Sequence, residues 1–222
     1  MLAGSIPTVA PETVNYGRGQ SERSRMSGFV VIEGIDGCGK STVAKTVAGR
    51  LGPRAVLTRE PTDSWIGRAV REGGSEEMSP YLDALLFMAD RANHTPEIAD
   101  HLQNGKIVVC DRYYHSTVAY QTAYLMRKSQ GDNFDWLLDA NIRISIHPDV
   151  TFLLTVDPEE ALGRIGDRGE LSRFERADFL KEVQDNYLRL AERDPTIVQI
   201  DSTRPPEEIV EEILQALDER KF

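Results

Sequence analysis

The sequence predicts an α/β fold: a three-layer sandwich in which a five-stranded parallel sheet carries helices on both faces. Three observations predict it. Strand-like and helix-like segments alternate along the 222-residue chain, the pattern of repeated strand–helix–strand crossovers. The apolar runs over residues 29–32, 107–110 and 150–154 are continuous rather than alternating, as in central parallel strands covered on both sides. Polar motifs follow these runs directly, where an open parallel sheet binds its ligands.

Residues 1–25 are polar, hold Pro7, Pro11, Gly17 and Gly19, and show no periodicity. They read as a disordered extension, with the folded domain spanning 26–222. Residues 28–33 form the first strand. Gly34, four residues, then Gly39, Lys40 and Ser41 follow, and Thr42 opens a helix with apolar positions Val43, Val47 and Leu51. This is the phosphate-loop spacing in its required context of strand, glycine turn and helix. The backbone of Gly34, Ile35, Asp36, Gly37, Cys38 and Gly39 would turn its N–H groups toward phosphate. The helix N-terminus favours the same anion. Lys40 would reach the outer phosphates, while Ser41 would hold Mg²⁺.

Gly52-Pro53 breaks that helix, and residues 55–58 form a second strand ending in Arg59-Glu60-Pro61. Asp63 or Ser64 would cap a short helix. Ser79-Pro80 opens a long one, which Asn104-Gly105 stops. Its apolar stripe around Leu82 to Met88 is wide, suiting a core on two sides or a subunit contact. Residues 106–111 are the third strand. The Asp111 at its end suits an acidic group beside Mg²⁺, though it also reads as a helix cap or a buried paired carboxylate. Helices are expected over 116–126 and 134–144, a strand over 150–156, and a helix from Pro158. Residues 163–173 concentrate Gly, Arg164, Arg168 and Arg173. They read either as a solvated loop or as a lid carrying arginines over phosphates. A helix over 176–193, a strand over 197–201 and a final helix with an acidic first turn and a basic end complete the chain.

The formal charge of -10 disfavours a general nucleic-acid binder, whose affinity comes mainly from Lys and Arg. Two cysteines make no disulfide framework and suit a reducing cytoplasm. No apolar run approaches a membrane span of about 20 residues. The Asn93-His94-Thr95 sequon has no role in a cytosolic chain. A switch GTPase would need an Asn-Lys pair, and the sequence holds none. A small phosphotransferase using a Mg²⁺-nucleoside triphosphate remains.

Glu33 to Thr42, Thr58-Arg59-Glu60-Pro61, Leu86 to Arg91, Asp111-Arg112-Tyr113 and Arg168 to Arg173 resemble the thymidylate kinase family, in its order and spacing. The resemblance implies transfer of the γ-phosphoryl of ATP to dTMP, with Mg²⁺, in a cytoplasmic homodimer. It implies that Phe87 stacks on thymine, that Arg91 and Thr117 read its edges, and that Tyr120 packs on the sugar and excludes a ribose 2′-hydroxyl. Asp36 would reach the 3′-hydroxyl. Arg71 and Arg112 would grip the acceptor phosphate, with Glu60 and Pro61 shaping the wall. Phe87 also reads as a core residue, and Arg91 as a surface ion pair with Asp90 or Glu97. Residues 35–38 hold no arginine, so the chain resembles the lid-arginine type, with Lys40, Arg112, Arg168 and Arg173 as the catalytic cations. Thr62-Asp63-Ser64 replaces the family's usual Gly-Gly-Thr. A deoxynucleoside kinase of the same fold, with Glu33 as its base, is the alternative, as is a kinase for another nucleoside monophosphate.

Overall fold

A computed structural model describes residues 27–73, 79–165 and 173–222, with the side chains of Pro80, Phe174 and Glu175 and that of Arg173 outside the description. The expected extension over 1–25 and the centre of the expected lid lie outside the described residues. The sheet has five parallel strands in the order β2-β3-β1-β4-β5: β1 Gly28–Gly34, β2 Ala55–Arg59, β3 Ile107–Asp111, β4 Val150–Thr155 and β5 Ile197–Asp201. Gly28 pairs with Ile107 and Ile32 with Asp111, so β1 and β3 end together. β1 runs on beside β4, with Gly34 opposite Leu154.

Alternation along β1 divides the core. Val30 and Ile32 join Val109, Phe152 and the inner faces of α1 (Lys40–Leu51) and α8 (Pro206–Glu219). Phe29 and Val31 join Ile98, Val108, Cys110 and Tyr113 on the other face. A strand with two buried faces has no place for alternation, which accounts for its unbroken apolar run.

Most boundaries agree with the sequence. Ser64 caps α2 (Trp65–Glu72) by accepting from Gly67 N at 3.0 Å. α3 (Pro80–Gln103) runs through Pro96 before ending at Asn104. α5 spans Phe134–Ile144 and α6 Pro158–Ile165. Two helices begin early. α4 (Tyr114–Arg127) starts two residues before the expected 116, and α7 (Arg173–Arg193) starts three before 176. At α4 the reason is tertiary: Glu33 accepts from the N–H groups of Tyr113 and Ser116 at 2.7 and 3.1 Å, a cap supplied from β1. The basic end expected of α8 falls just past it, at Arg220 and Lys221. Among the described residues no helix is long and apolar enough to cross a membrane.

Candidate active site

The phosphate loop is held by backbone conformations that favour glycine. Gly34 has φ 141° and Gly37 φ 86°. A Cβ at Gly34 would stand 2.4 Å from the Leu154 carbonyl oxygen, and one at Gly37 2.2 Å from that of Ala161. The loop is thereby seated on β4 and α6 at once. Lys40 follows at the start of α1 and is only 5% exposed. Its Nζ donates to the Ile35 carbonyl at 2.7 Å and lies 3.7 Å from Cys38 Sγ. Burial, and then the Arg112 charge, lower its pKa from the ordinary lysine value.

Beside it, Ser41 Oγ donates to Asp111 Oδ2 at 2.5 Å. Asp111 Oδ1 is buried and has no protein partner. A hydroxyl joined to a carboxylate with one oxygen left over fits Mg²⁺, which keeps most of its shell as water and phosphate. Among the described residues no group of three or more His, Cys, Asp or Glu side chains could hold a metal ion. A cavity of about 690 Å³ opens beside this pair, lined by Ser41, Asp111, Thr58 and His94 among others.

Arg112 immediately follows β3 and has φ 69°, a left-handed conformation that costs a non-glycine residue about 1–2 kcal/mol. Strain of this kind persists where the surroundings over-determine it. Here the Arg112 N–H donates to Ile32 O at 3.1 Å, and its Nη1 donates to Ser116 Oγ at 3.1 Å. Its Nη2 pairs with the Asp36 carboxylate. The guanidinium lies over the Tyr120 ring, 5.3 Å from its centre, and Tyr120 Oη accepts from Asp36 N at 2.9 Å. Asp36, Arg112 and Tyr120, chosen from three distant segments, thus meet at one point.

The base-reading candidates also converge. Arg91 is 1% exposed. Its Nη2 donates to Glu60 Oε2 at 2.5 Å and to Thr117 Oγ1 at 3.0 Å, and its Nη1 to Asn141 Oδ1. The surface pairing with Asp90 or Glu97 is therefore corrected. Asp90 instead accepts from Thr62 N, Thr62 Oγ1 and Ser64 Oγ at 2.7, 2.6 and 2.9 Å, which fixes the loop that replaces Gly-Gly-Thr. Just before it the Glu60–Pro61 peptide is cis. Arg71 donates to the carbonyls of Pro61 and Thr62 at 3.1 and 2.7 Å, so it sits against the same wall. Phe87 is half-buried, one turn before Arg91 on α3. Arg168 lies outside the described residues, as does the Arg173 side chain.

Glu33 is not available as a base. It is fully buried, and besides its two backbone contacts its Oε2 accepts from Ser116 Oγ at 2.6 Å and Tyr187 Oη at 2.9 Å. Burial raises its pKa. Its work is to tie β1 to α4 and α7. The sequence reading missed Ser116, Asn141 and Tyr187, whose partners are far away in the chain. A lone carboxylate inside an apolar strand was the one signal for Glu33.

A glycine-built phosphate loop on β1, an acid at the end of β3 and arginines held beside the carboxyl ends of β2 and β3 define a P-loop nucleotide phosphotransferase. Comparison with known proteins narrows this. A family model described as thymidylate kinase matches residues 32–213. A probable thymidylate kinase of Methanococcoides burtonii is 40% identical over 192 residues, covering 85% of this chain and 95% of that protein. One from Thermococcus onnurineus is 39% identical over 205 residues, covering 86% and 97%. The solved thymidylate kinase of Candida albicans superposes with a TM-score of 0.74 at 28% identity, covering 88% of this chain and 93% of that one. The chain belongs to the thymidylate kinase family.

Proposed function

We propose that the chain transfers the γ-phosphoryl group of ATP to dTMP, giving dTDP and ADP, with the residue roles that follow. The observation that carries this reading is the buried Arg91, joined to Thr117 and Glu60. Arg91 Nε is buried without a protein partner, a donor suited to a base carbonyl such as thymine O4. Phe87 stacks on that base, and Tyr120 packs on the sugar. The dTMP phosphate has a second pKa of about 6, so at neutral pH it is already a dianionic nucleophile. What the site must overcome is repulsion between two polyanions.

Binding is an exchange of partners. Lys40 leaves the Ile35 carbonyl for the ATP phosphates, with backbone N–H groups of residues 34–42 around them. Arg112 leaves Asp36 for the acceptor phosphate, alongside Arg71. Asp36 is then free for the 3′-hydroxyl. Bidentate guanidinium forks suit a phosphate, and fixed positive charge stabilises the transferring group. Ser41 and Asp111 would hold Mg²⁺, which when bound would neutralise charge on the ATP phosphates. The apolar residues Leu82 and Leu85, 40% and 50% exposed on α3, support a homodimer through that face. Two free buried thiols, Cys38 and Cys110, support a cytoplasmic, reducing setting.

The test is ADP release from Mg²⁺·ATP with dTMP, dUMP, dCMP, dAMP or thymidine. Release with dTMP, and not with thymidine, is the expected result; release with thymidine alone would replace this reading by a nucleoside kinase. Arg112 offers a second check. Arg112→Ala should lower kcat/KM for dTMP by about 10²-fold, as removal of a desolvated charge partner does, with a much smaller change in the KM for ATP. Arg112→Gly should lose the same activity yet melt higher than Arg112→Ala, since glycine relieves the left-handed backbone. Equal melting temperatures would show that the turn is unstrained.

A further inference from the structure

The polar chain behind Arg91 does not stop at Glu60. His94 lies three residues after Arg91 on α3, on the same face, and is 2% exposed. Its Nδ1 stands 3.0 Å from Glu60 Oε1, while Glu60 Oε2 takes Arg91 Nη2 at 2.5 Å. A carboxylate only accepts, so His94 Nδ1 carries a proton toward it. On its other side His94 Nε2 shares a hydrogen bond of 2.7 Å with Thr58 Oγ1, from β2. Both oxygens of Glu60 are thus committed to α3, and the carboxylate plane is fixed between two residues one turn apart.

We propose that His94 is a positioning residue for base recognition. By clamping Glu60 against β2 it holds the Arg91 guanidinium at the angle that accepts a 4-carbonyl base and rejects a 4-amino base. This rests on the reading above in which Arg91 takes the base. Without His94, Glu60 Oε1 loses its donor, the carboxylate can rotate, and Arg91 can follow it. A guanidinium that shifts between angles no longer penalises cytosine's amino group consistently, because discrimination here depends on leaving a donor facing a donor. His94 touches neither nucleotide in this scheme, although it lines the cavity that also reaches Ser41 and Asp111.

The two ring nitrogens can be tested separately. His94→Asn places an amide N–H near the position of Nδ1 and keeps the contact with Glu60. His94→Gln places its amide near Nε2 and keeps Thr58 instead. His94→Gln is expected to raise the KM for dTMP about tenfold, the loss expected when a hydrogen bond to a charged group goes. It should lower the dTMP-over-dCMP ratio of kcat/KM by a similar factor, with kcat and the KM for ATP changed less than about twofold. His94→Asn should keep the wild-type ratio. Melting temperatures of both variants separate unfolding from mispositioning.

A cycle with Arg91→Met completes the experiment: the effect of His94→Gln on the ratio should vanish once Arg91 is gone. If Arg91→Met itself leaves the ratio unchanged, base reading by Arg91 fails and this inference with it. If Arg91→Met collapses the ratio while His94→Gln does not, the inference fails alone. Parallel losses for ATP and dTMP in His94→Gln, or equal behaviour of the Asn and Gln variants, would reduce His94 to a structural residue.

Discussion

Lys40→Met should lower turnover by about 10³-fold, the upper end for removal of a single preorganised donor, while the nucleotide-free protein melts no lower than wild type. The two effects have one cause. Lys40 is charged, 5% exposed, and holds one protein oxygen, the Ile35 carbonyl, at 2.7 Å. Burial and the neighbouring Arg112 disfavour its ammonium form and lower its pKa. In the nucleotide-free protein the folded state therefore holds the proton less tightly than the unfolded chain does. Wherever the unfolded state binds more protons, stability rises with pH. The penalty of Lys40 is thus fully present below its lowered pKa, and it fades as pH rises toward the ordinary lysine value of 10.5. Methionine keeps much of the volume without the charge. The melting-temperature advantage of Lys40→Met should be largest near neutrality and shrink toward pH 10.5. Mg²⁺·ATP should raise the melting temperature of wild type more than that of the variant. Thermal melts across pH, with and without nucleotide, together with kcat, decide it. A variant that melts far below wild type at neutral pH would contradict this account.

Arg168→Ala should lower kcat by about 10³-fold or more, in the range of a missing arginine finger, with no loss of melting temperature. The phosphate loop supplies no arginine at residues 35–38, and its Asp36 adds negative charge, which Arg112 answers. Arg164 is otherwise engaged: at the end of α6 its Nη2 donates to Glu160 Oε1 at 2.7 Å and to the Ser202 carbonyl at 3.0 Å. In the proposed mechanism, Arg168 and Arg173 are the arginines of that stretch that meet charge on the transferring phosphoryl group. Arg164→Ala is the control and should change kcat less than about threefold, as loss of a partly exposed ion pair implies. Single-turnover rates with saturating dTMP separate chemistry from product release. A near-normal single-turnover rate for Arg168→Ala would remove it from the reaction.

The phosphate loop was legible because its chemistry is contiguous: glycines, Lys40 and Ser41 follow one strand without interruption. Strand positions were legible because double burial leaves an unbroken apolar run. The acceptor side was legible only through resemblance, since Arg91, Glu60 and Thr117 are separated by tens of residues and no local pattern joins them. Asn141 and His94 illustrate the limit. Each is one polar residue on an ordinary helix face, and its partner is fixed by packing rather than spacing. The early start of α4 was illegible for the same reason. Tyr113-Tyr114-His115 carries no cap of its own, and the acceptor for the N–H groups of Tyr113 and Ser116 comes from a strand about 80 positions earlier.

That acceptor, Glu33, bolts the helix carrying Thr117 and Tyr120 to the strand that leads into the phosphate loop. In the proposed roles that joint holds the donor and acceptor nucleotides a fixed distance apart, with the base read where α3, α4 and α5 converge on Arg91.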